Sequence, residues 1–239
     1  MVDFTGGTWR SLIDGSEVAA IPDSAENHWG FEEGSGTLVS DGVGDFDADF
    51  NNLAWGEDGY GGVHGILDGT DDFGELGDGS ESHWSHWINN GEGFFATWIN
   101  PDSVSETQTL FGTGASSDGN SVSIRIEAGG DIRALAGDDI SPTNIFDITA
   151  TDVLVADAWQ AVGVSADGSS LKIFVDDIEE ASGSIDDTTT GDLGSTINIG
   201  RRNTLTDQYY GGRIDEPWTR SSANEQNYLD WYADTAGRY

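Results

Sequence analysis

The chain has 239 residues, of which 44 are Asp or Glu and nine are Lys or Arg, so a net charge of −35 is spread along its whole length. That balance argues against nucleic acid as a partner, and the lack of cysteine excludes a disulfide framework or a thiolate metal site. No uncharged apolar run approaches the roughly 18 residues needed to span a bilayer, so no membrane insertion is expected.

Charge of this density repels itself across a Debye length of about 8 Å at physiological salt, which molar salt shortens to about 3 Å. With Lys172 as the only lysine, the composition is that of a protein adapted to high salt. Nine Trp, six Tyr and ten Phe supply the apolar surface that disordered acidic chains lack. Thirty-four glycines, many beside Asp, interrupt short apolar runs, the pattern of an all-β sandwich.

In chain order, the first segment is TWRSLIDGSEVAAIPDS, which reads as a hairpin turning at Asp14-Gly15. It is either an extra strand pair on the main domain or an arm over residues 1–24 that docks on a partner. In the second reading Trp9, Leu12, Ile13, Val18 and Ile21 supply the assembly contacts, because an isolated hairpin is marginal in water. Residues 25–239 then form the main domain. Strands are expected at 27–31, 93–99, 107–113, 121–127, 131–136, 196–200 and 211–219. A hairpin is expected from Trp159 to Asp177, with a type I′ turn at Asp167-Gly168 and with Leu171, Ile173 and Val175 on one face. Ser222 and Glu225 have the spacing of a capping box and open one short helix that places Tyr228, Leu229 and Tyr232 together.

Five motifs carry a resemblance. HWGFEEGSGT (28–37), GILDGTDDF (65–73), FFATWINP (94–101), the Trp159–Val175 hairpin and GRIDE (212–216) come in this order. Together they resemble the laminin-G-like jelly rolls of the concanavalin A-like lectin/glucanase superfamily. The resemblance implies two stacked antiparallel sheets of about six or seven strands, followed by a short helix. The phrase TGGTWRSLIDGSEVAAIP ahead of such a domain also resembles proteins of tailed viruses and proviruses of halophilic archaea. It implies a virion protein made in the host cytoplasm, in keeping with a start that shows no secretory signal pattern.

The stretch LDGTDDFGELGDG (67–79) concentrates five carboxylates. Calcium takes six to eight oxygen ligands, and Gly/Asp loops supply them well. Relatives in the resembled family hold structural calcium, so Asp71, Asp72 and Asp215 are the metal candidates, against the plainer reading of turn and surface acids. Asp68 and Asp78 read as turn formers. Trp84 and Trp87 in HWSHW, with Tyr209 and Tyr210, are candidates for stacking on sugar rings, against simple burial under a loop. The two histidines of HWSHW lack a third zinc ligand nearby.

A retaining glycosidase needs two carboxyls about 5–5.5 Å apart on one sheet face. Asp215 and Glu216 are adjacent and so point to opposite faces, while Asp177 and Glu179 fall where the resembled family has a turn. No catalytic residue is assigned. The expected function is therefore a non-enzymatic virion structural or adhesion protein of a halophilic archaeal virus, as a capsid decoration, turret or tail-fibre module. Its partners would be other virion proteins, further copies of itself and host surface glycans. A cellular carbohydrate-binding module is the alternative, and a glycoside hydrolase a weaker one.

Overall fold

The computed structural model describes residues 2–5, 8–11, 25–57, 62–78, 84–113, 120–138, 144–185, 188, 193, 196–202, 208–223 and 225–239. In chain order the strands are β1 (Val2–Thr5), β2 (Thr8–Ser11), β3 (Asn27–His28), β4 (Leu38–Val39), β5 (Ala48–Phe50), β6 (Ala54–Glu57), β7 (Val63–Asp68), β8 (Gly74–Asp78) and β9 (Glu92–Pro101). They continue as β10 (Gln108–Thr113), β11 (Asn120–Glu127), β12 (Asp131–Asp138), β13 (Asn144–Ala150), β14 (Gln160–Asp167), β15 (Ser170–Val175), β16 (Ile178–Ser184), β17 (Thr196–Ile199) and β18 (Gly211–Arg220). Two helices complete the set, α1 (His86–Asn89) and α2 (Glu225–Thr235), with a 3-10 turn at Ala236–Arg238. Neither is long and apolar enough to cross a membrane.

All pairings are antiparallel. The front sheet has the order β13-β12-β11-β10-β17-β8-β5-β4, and the back sheet the order β16-β15-β14-β9-β18-β7-β6, with β3 also on β18. Each sheet is thus larger than the six or seven strands expected, because two- to four-residue edge strands such as β4 and β6 are too short to show periodicity. The expected longer strands and the Trp159–Asp177 hairpin are all present.

Alternation along each strand explains the layers. On β11, Val122, Ile124 and Ile126 are buried in the core between the sheets, while Ser121, Ser123 and Arg125 take the outward positions. The back sheet is apolar on both faces. Phe95 and Ile99 of β9 join the central core, whereas Phe94, Ala96 and Trp98 meet a second cluster on the other face. That is why FFATWI reads as a continuous apolar run and not as an alternation.

The second cluster is the seat of α2. Tyr228 and Trp231 are buried against Phe94, Trp98, Phe174 and Trp218. The ring pair Phe94–Trp218 lies at 4.3 Å and Trp98–Tyr239 at 4.4 Å between centroids. A Cβ at Gly163 would lie 2.7 Å from the Tyr228 ring, so the helix can approach only over a glycine. The face of α2 differs from the expected one: Tyr228, Trp231 and Thr235 are buried, and Leu229 and Tyr232 only flank them. Glu225 gives its carboxylate to Lys172 Nζ on β15 at 2.9 Å, a partner that a local capping pattern cannot anticipate.

Two turns also differ from expectation. Only Gly168 has a left-handed φ (84°) in the β14–β15 hairpin, so the central pair is Gly168-Ser169 and not Asp167-Gly168. Asp167 instead accepts from the backbone N–H and the hydroxyl of both Ser169 and Ser170; against the opposing effect of burial these donors lower its carboxyl to about 2. At the N-terminus a hairpin does form, but its strands are β1 and β2 with Thr5 opposite Thr8. Trp9 lies in β2, whereas Leu12, Ile13, Val18 and Ile21 and the expected Asp14-Gly15 turn lie outside the described residues.

Candidate functional site

Strand β7 ends at Asp68, and the chain turns through residues 69–73 before β8. Asp68 Oδ1 accepts from Thr70 N (2.7 Å) and Asp71 N (3.2 Å), so it does form the turn. Gly69 takes φ 72°, and a Cβ there would lie 3.2 Å from Gly211 Cα on β18. Asp68 N in turn donates to Asp72 Oδ2 at 2.9 Å, while Asn51 Nδ2 holds the Asp71 carbonyl at 3.0 Å.

The turn gathers three carboxylates. One ligand oxygen from each of Asp68, Asp71 and Asp72 lies within 4.8 Å of the others, the largest separation two ligands can have when each is about 2.4 Å from one calcium ion. Asp68 and Asp71 are exposed and Asp72 is buried. Burial pushes the Asp72 carboxyl up, and the neighbouring Asp68 and Asp71 charges push it further than the Asp68 N–H pulls it down. Like charges held together at a half-buried point, with free oxygens left over, fit a divalent cation.

Asp215 does not belong to this group. Gly211 is the residue of β18 opposite Asp68, and Asp215 is four residues further on, about 13 Å along a strand. Its carboxylate is fully buried, accepts from Glu216 N at 2.9 Å and is bonded by the Tyr239 hydroxyl beneath α2. The adjacent Glu216 has φ 53° at a bulge in β18 and meets His28 Nε2 at 2.6 Å, both side chains buried. Pro217, which has no N–H, is accommodated at the same bulge. The Asp-Glu pair of GRIDE thus locks the back sheet.

Three of the four rings expected to stack on sugars are core residues. Trp84 and Trp87 are 1% and 2% exposed, and Tyr210 is fully buried. Trp84 packs edge-on to Phe46 and close to Phe111, and Trp87 covers Gly93, where a Cβ would be 2.3 Å from its ring. Tyr210 donates its hydroxyl to the Arg213 carbonyl at 2.8 Å, and burial holds its phenol well above the usual range. A neutral ring with no exposed face cannot stack on a ligand.

Tyr209 is different. It is half-buried and lies 6.3 Å from Phe73, also half-buried, in a tilted pair. The Arg201 guanidinium sits 3.4 Å over the Phe73 ring, with Asn198 Oδ1 at 3.4 Å and Glu75 at 3.7 Å from its nitrogen. Phe73 follows Asp72 directly, and Gly200 (φ 82°) passes behind it, where a Cβ would stand 3.5 Å from the Asp72 carbonyl. An aromatic pair, a cation and three carboxylates therefore share one rim. Sequence reasoning missed Phe73 and Arg201; the DDF tripeptide held the only signal.

Comparison with known proteins gives the same architecture. Residues 68–225 match a laminin-G-type family model described as concanavalin A-like lectin/glucanases superfamily. Among curated proteins no sequence matches this chain. Domain 4 of AbnA, a GH43 extracellular arabinanase from Geobacillus stearothermophilus solved with arabinotriose, superposes with a TM-score of 0.63 at 18% identity, over 87% of this chain and 98% of that one. The botulinum neurotoxin serotype D ligand-binding domain, solved with N-acetylneuraminic acid, gives 0.64 at 14% identity, over 90% of this chain and 52% of that one. The binding domain of Paraclostridial Mosquitocidal Protein 1 gives 0.65 at 14%, over 88% and 52%. The chain spans about half the length of these two toxin domains.

Proposed function

Since the chain belongs to the concanavalin A-like lectin/glucanases superfamily, we propose that it is a non-enzymatic glycan-binding module whose ligand rests on Tyr209 and Phe73 beside Asp68, Asp71 and Asp72. The observation that carries this reading is the half-exposed aromatic pair adjoining the acidic trio on one rim. Aromatic faces suit the apolar faces of sugar rings, and Arg201 fixes the Phe73 plane. Calcium bound by the trio would cancel its mutual repulsion and offer open coordination positions to sugar hydroxyls. The saccharides in the arabinanase and neurotoxin structures support the choice of ligand class.

We place the module on the particle of a halophilic archaeal virus, as a capsid decoration, turret or tail-fibre subunit that contacts host glycans. The acid excess with a single lysine supports the high-salt setting. The β1–β2 hairpin, which pairs with neither large sheet, supports an attachment arm toward other virion proteins or further copies. The near-complete coverage of the arabinanase domain favours a cellular carbohydrate-binding module as the second reading. Genome neighbourhood separates the two.

A glycan array probed in molar KCl with calcium tests the binding. Tyr209→Ala is expected to lose the saccharides that the parent chain retains, with the far-UV spectrum unchanged. Equal binding by that variant would remove the rim from consideration, and release of reducing sugar would refute the non-enzymatic reading.

A further inference from the structure

The outward face of the front sheet holds an unusual share of the chain's few cations. Of nine basic residues, Arg125, Arg133, Arg201 and Arg202 meet there. Arg125 and Arg133 are cross-strand partners on β11 and β12. Arg202 reaches Ser121 Oγ at 3.4 Å on the same face, and Arg201 reaches Asn198 on β17. Glu127 and Asp147 neutralise part of this charge: Arg125 holds Glu127 at 2.7 Å and Arg133 holds Asp147 at 2.6 Å. Burial lowers the Arg125 guanidinium, and the repulsion of Arg133 and Arg202 adds to it against the pull of Glu127.

Two hydroxyls between these arginines are unsatisfied. Thr109 Oγ1 and Ser123 Oγ are buried and make no hydrogen bond. Thr109 is the β10 residue opposite Arg125, and Ser123 is two residues from Arg125 on the same face. Gly112 lies between Ser123 on β11 and Asn198 on β17, and its missing side chain leaves a floor between them; a Cβ there would meet Thr109 Cγ2 at 3.0 Å. Buried polar groups without partners are rare in folded proteins and call for an explanation. Oxygen-rich ligand atoms would satisfy them.

We infer that this recess, lined by Thr109, Ser123, Arg125, Arg133 and Arg202, receives the anionic group of an acidic sugar, a carboxylate or a sulfate ester. Guanidinium forks match both groups through paired hydrogen bonds. The inference rests on the glycan-binding reading and narrows it. The recess continues the rim: Asn198, the neighbour of Gly112, is also the partner of Arg201, which covers Phe73. A short oligosaccharide lying on Tyr209 and Phe73 can therefore extend across Gly112 to the arginines. Elsewhere the net negative chain repels anions, and molar salt screens that repulsion while leaving direct contacts in place. Such binding should hold or strengthen as KCl rises, unlike attraction to a basic surface.

The test is calorimetry on the full chain in molar KCl with trigalacturonic acid against its methyl ester, and sulfated against unsulfated maltotriose. At least one acidic member should bind about tenfold tighter than its neutral counterpart, as expected for one charge-assisted contact. The two pairs tell carboxylate from sulfate. Arg202→Gln should erase the preference and leave neutral binding unchanged. If that variant does not fold, Arg133→Gln, whose side chain is 32% exposed, carries the same expectation. Neutral sugars binding as tightly as acidic ones, or a preference that survives Arg202→Gln in a folded protein, would overturn the inference while sparing the glycan reading. Binding of no saccharide in a panel extended to arabinotriose and N-acetylneuraminic acid would overturn both.

Discussion

Asp41 and Asp72 are both aspartates in glycine-rich loops, and the fold treats them in opposite ways. The Asp41 carboxylate collects Asn27 Nδ2 at 2.5 Å and the backbone N–H groups of His28, Val43, Gly44 and Phe46. Burial raises its carboxyl, but the hydrogen bonds from Asn27, His28, Gly44 and Val43 outweigh burial and leave it below the usual range. Asp72 accepts the Asp68 N–H, stands between two further acids, and is pushed upward. In a chain so rich in acids, the number of carboxylates in a loop separates nothing. The supply of donors does: where donors suffice the acid is architecture, and where they do not the acid waits for a cation.

The largest effect should come from the donor-rich side. Asp41→Ala strands its amide donors and should cost about 3 kcal/mol in chemical denaturation at molar KCl. If the cost falls within that of an ordinary surface change, the hub is no hub. Asp167, which also collects donors but on an exposed turn, should cost less on change to Ala, about 1 kcal/mol. Asp72→Asn should go the other way without calcium, raising stability by about 0.5 kcal/mol because it removes one of three like charges.

Acidity separates the same regions. A carboxyl held low in the folded state stabilises the fold above its unfolded value, near 4, and that contribution fades as pH falls through the folded value. The melting temperature of the parent chain should therefore approach that of Asp41→Asn as pH drops below about 4. The raised carboxyl of Asp72 has the reverse sign: it costs stability when ionised, so Asp72→Asn should lose its advantage on acidification. A gap between Asp41→Asn and the parent that is constant with pH would contradict the assignment.

The two regions were unequally legible in the sequence. Long strands announced themselves, because β9, β11 and β14–β15 carry apolar residues at a spacing that only a sheet can bury. The calcium candidates Asp71 and Asp72 were visible in one short loop, whereas the third acid is Asp68 and not Asp215. The difference is a matter of strand register: four residues along β18 remove Asp215 from the loop, and Tyr239 claims it. The aromatic candidates misled for a related reason. Tryptophans rich in apolar area are drawn into the core, and of the adjacent pair Tyr209-Tyr210 one ring must turn inward. Phe73, Arg201 and Tyr209 meet only once β8 and β17 are paired, which local spacing does not encode. Asp41 was passed over because its donors come from residues 27–46, each unremarkable alone.

The account turns on the donor-poor loop being the place where a cation is held. Calorimetric titration of the chain with calcium chloride in molar KCl measures this most directly. One ion should bind per chain, the heat should vanish in Asp71→Asn, and Asp41→Asn should retain it. Absence of any binding heat and of any rise in melting temperature, or identical binding by Asp71→Asn, would contradict it.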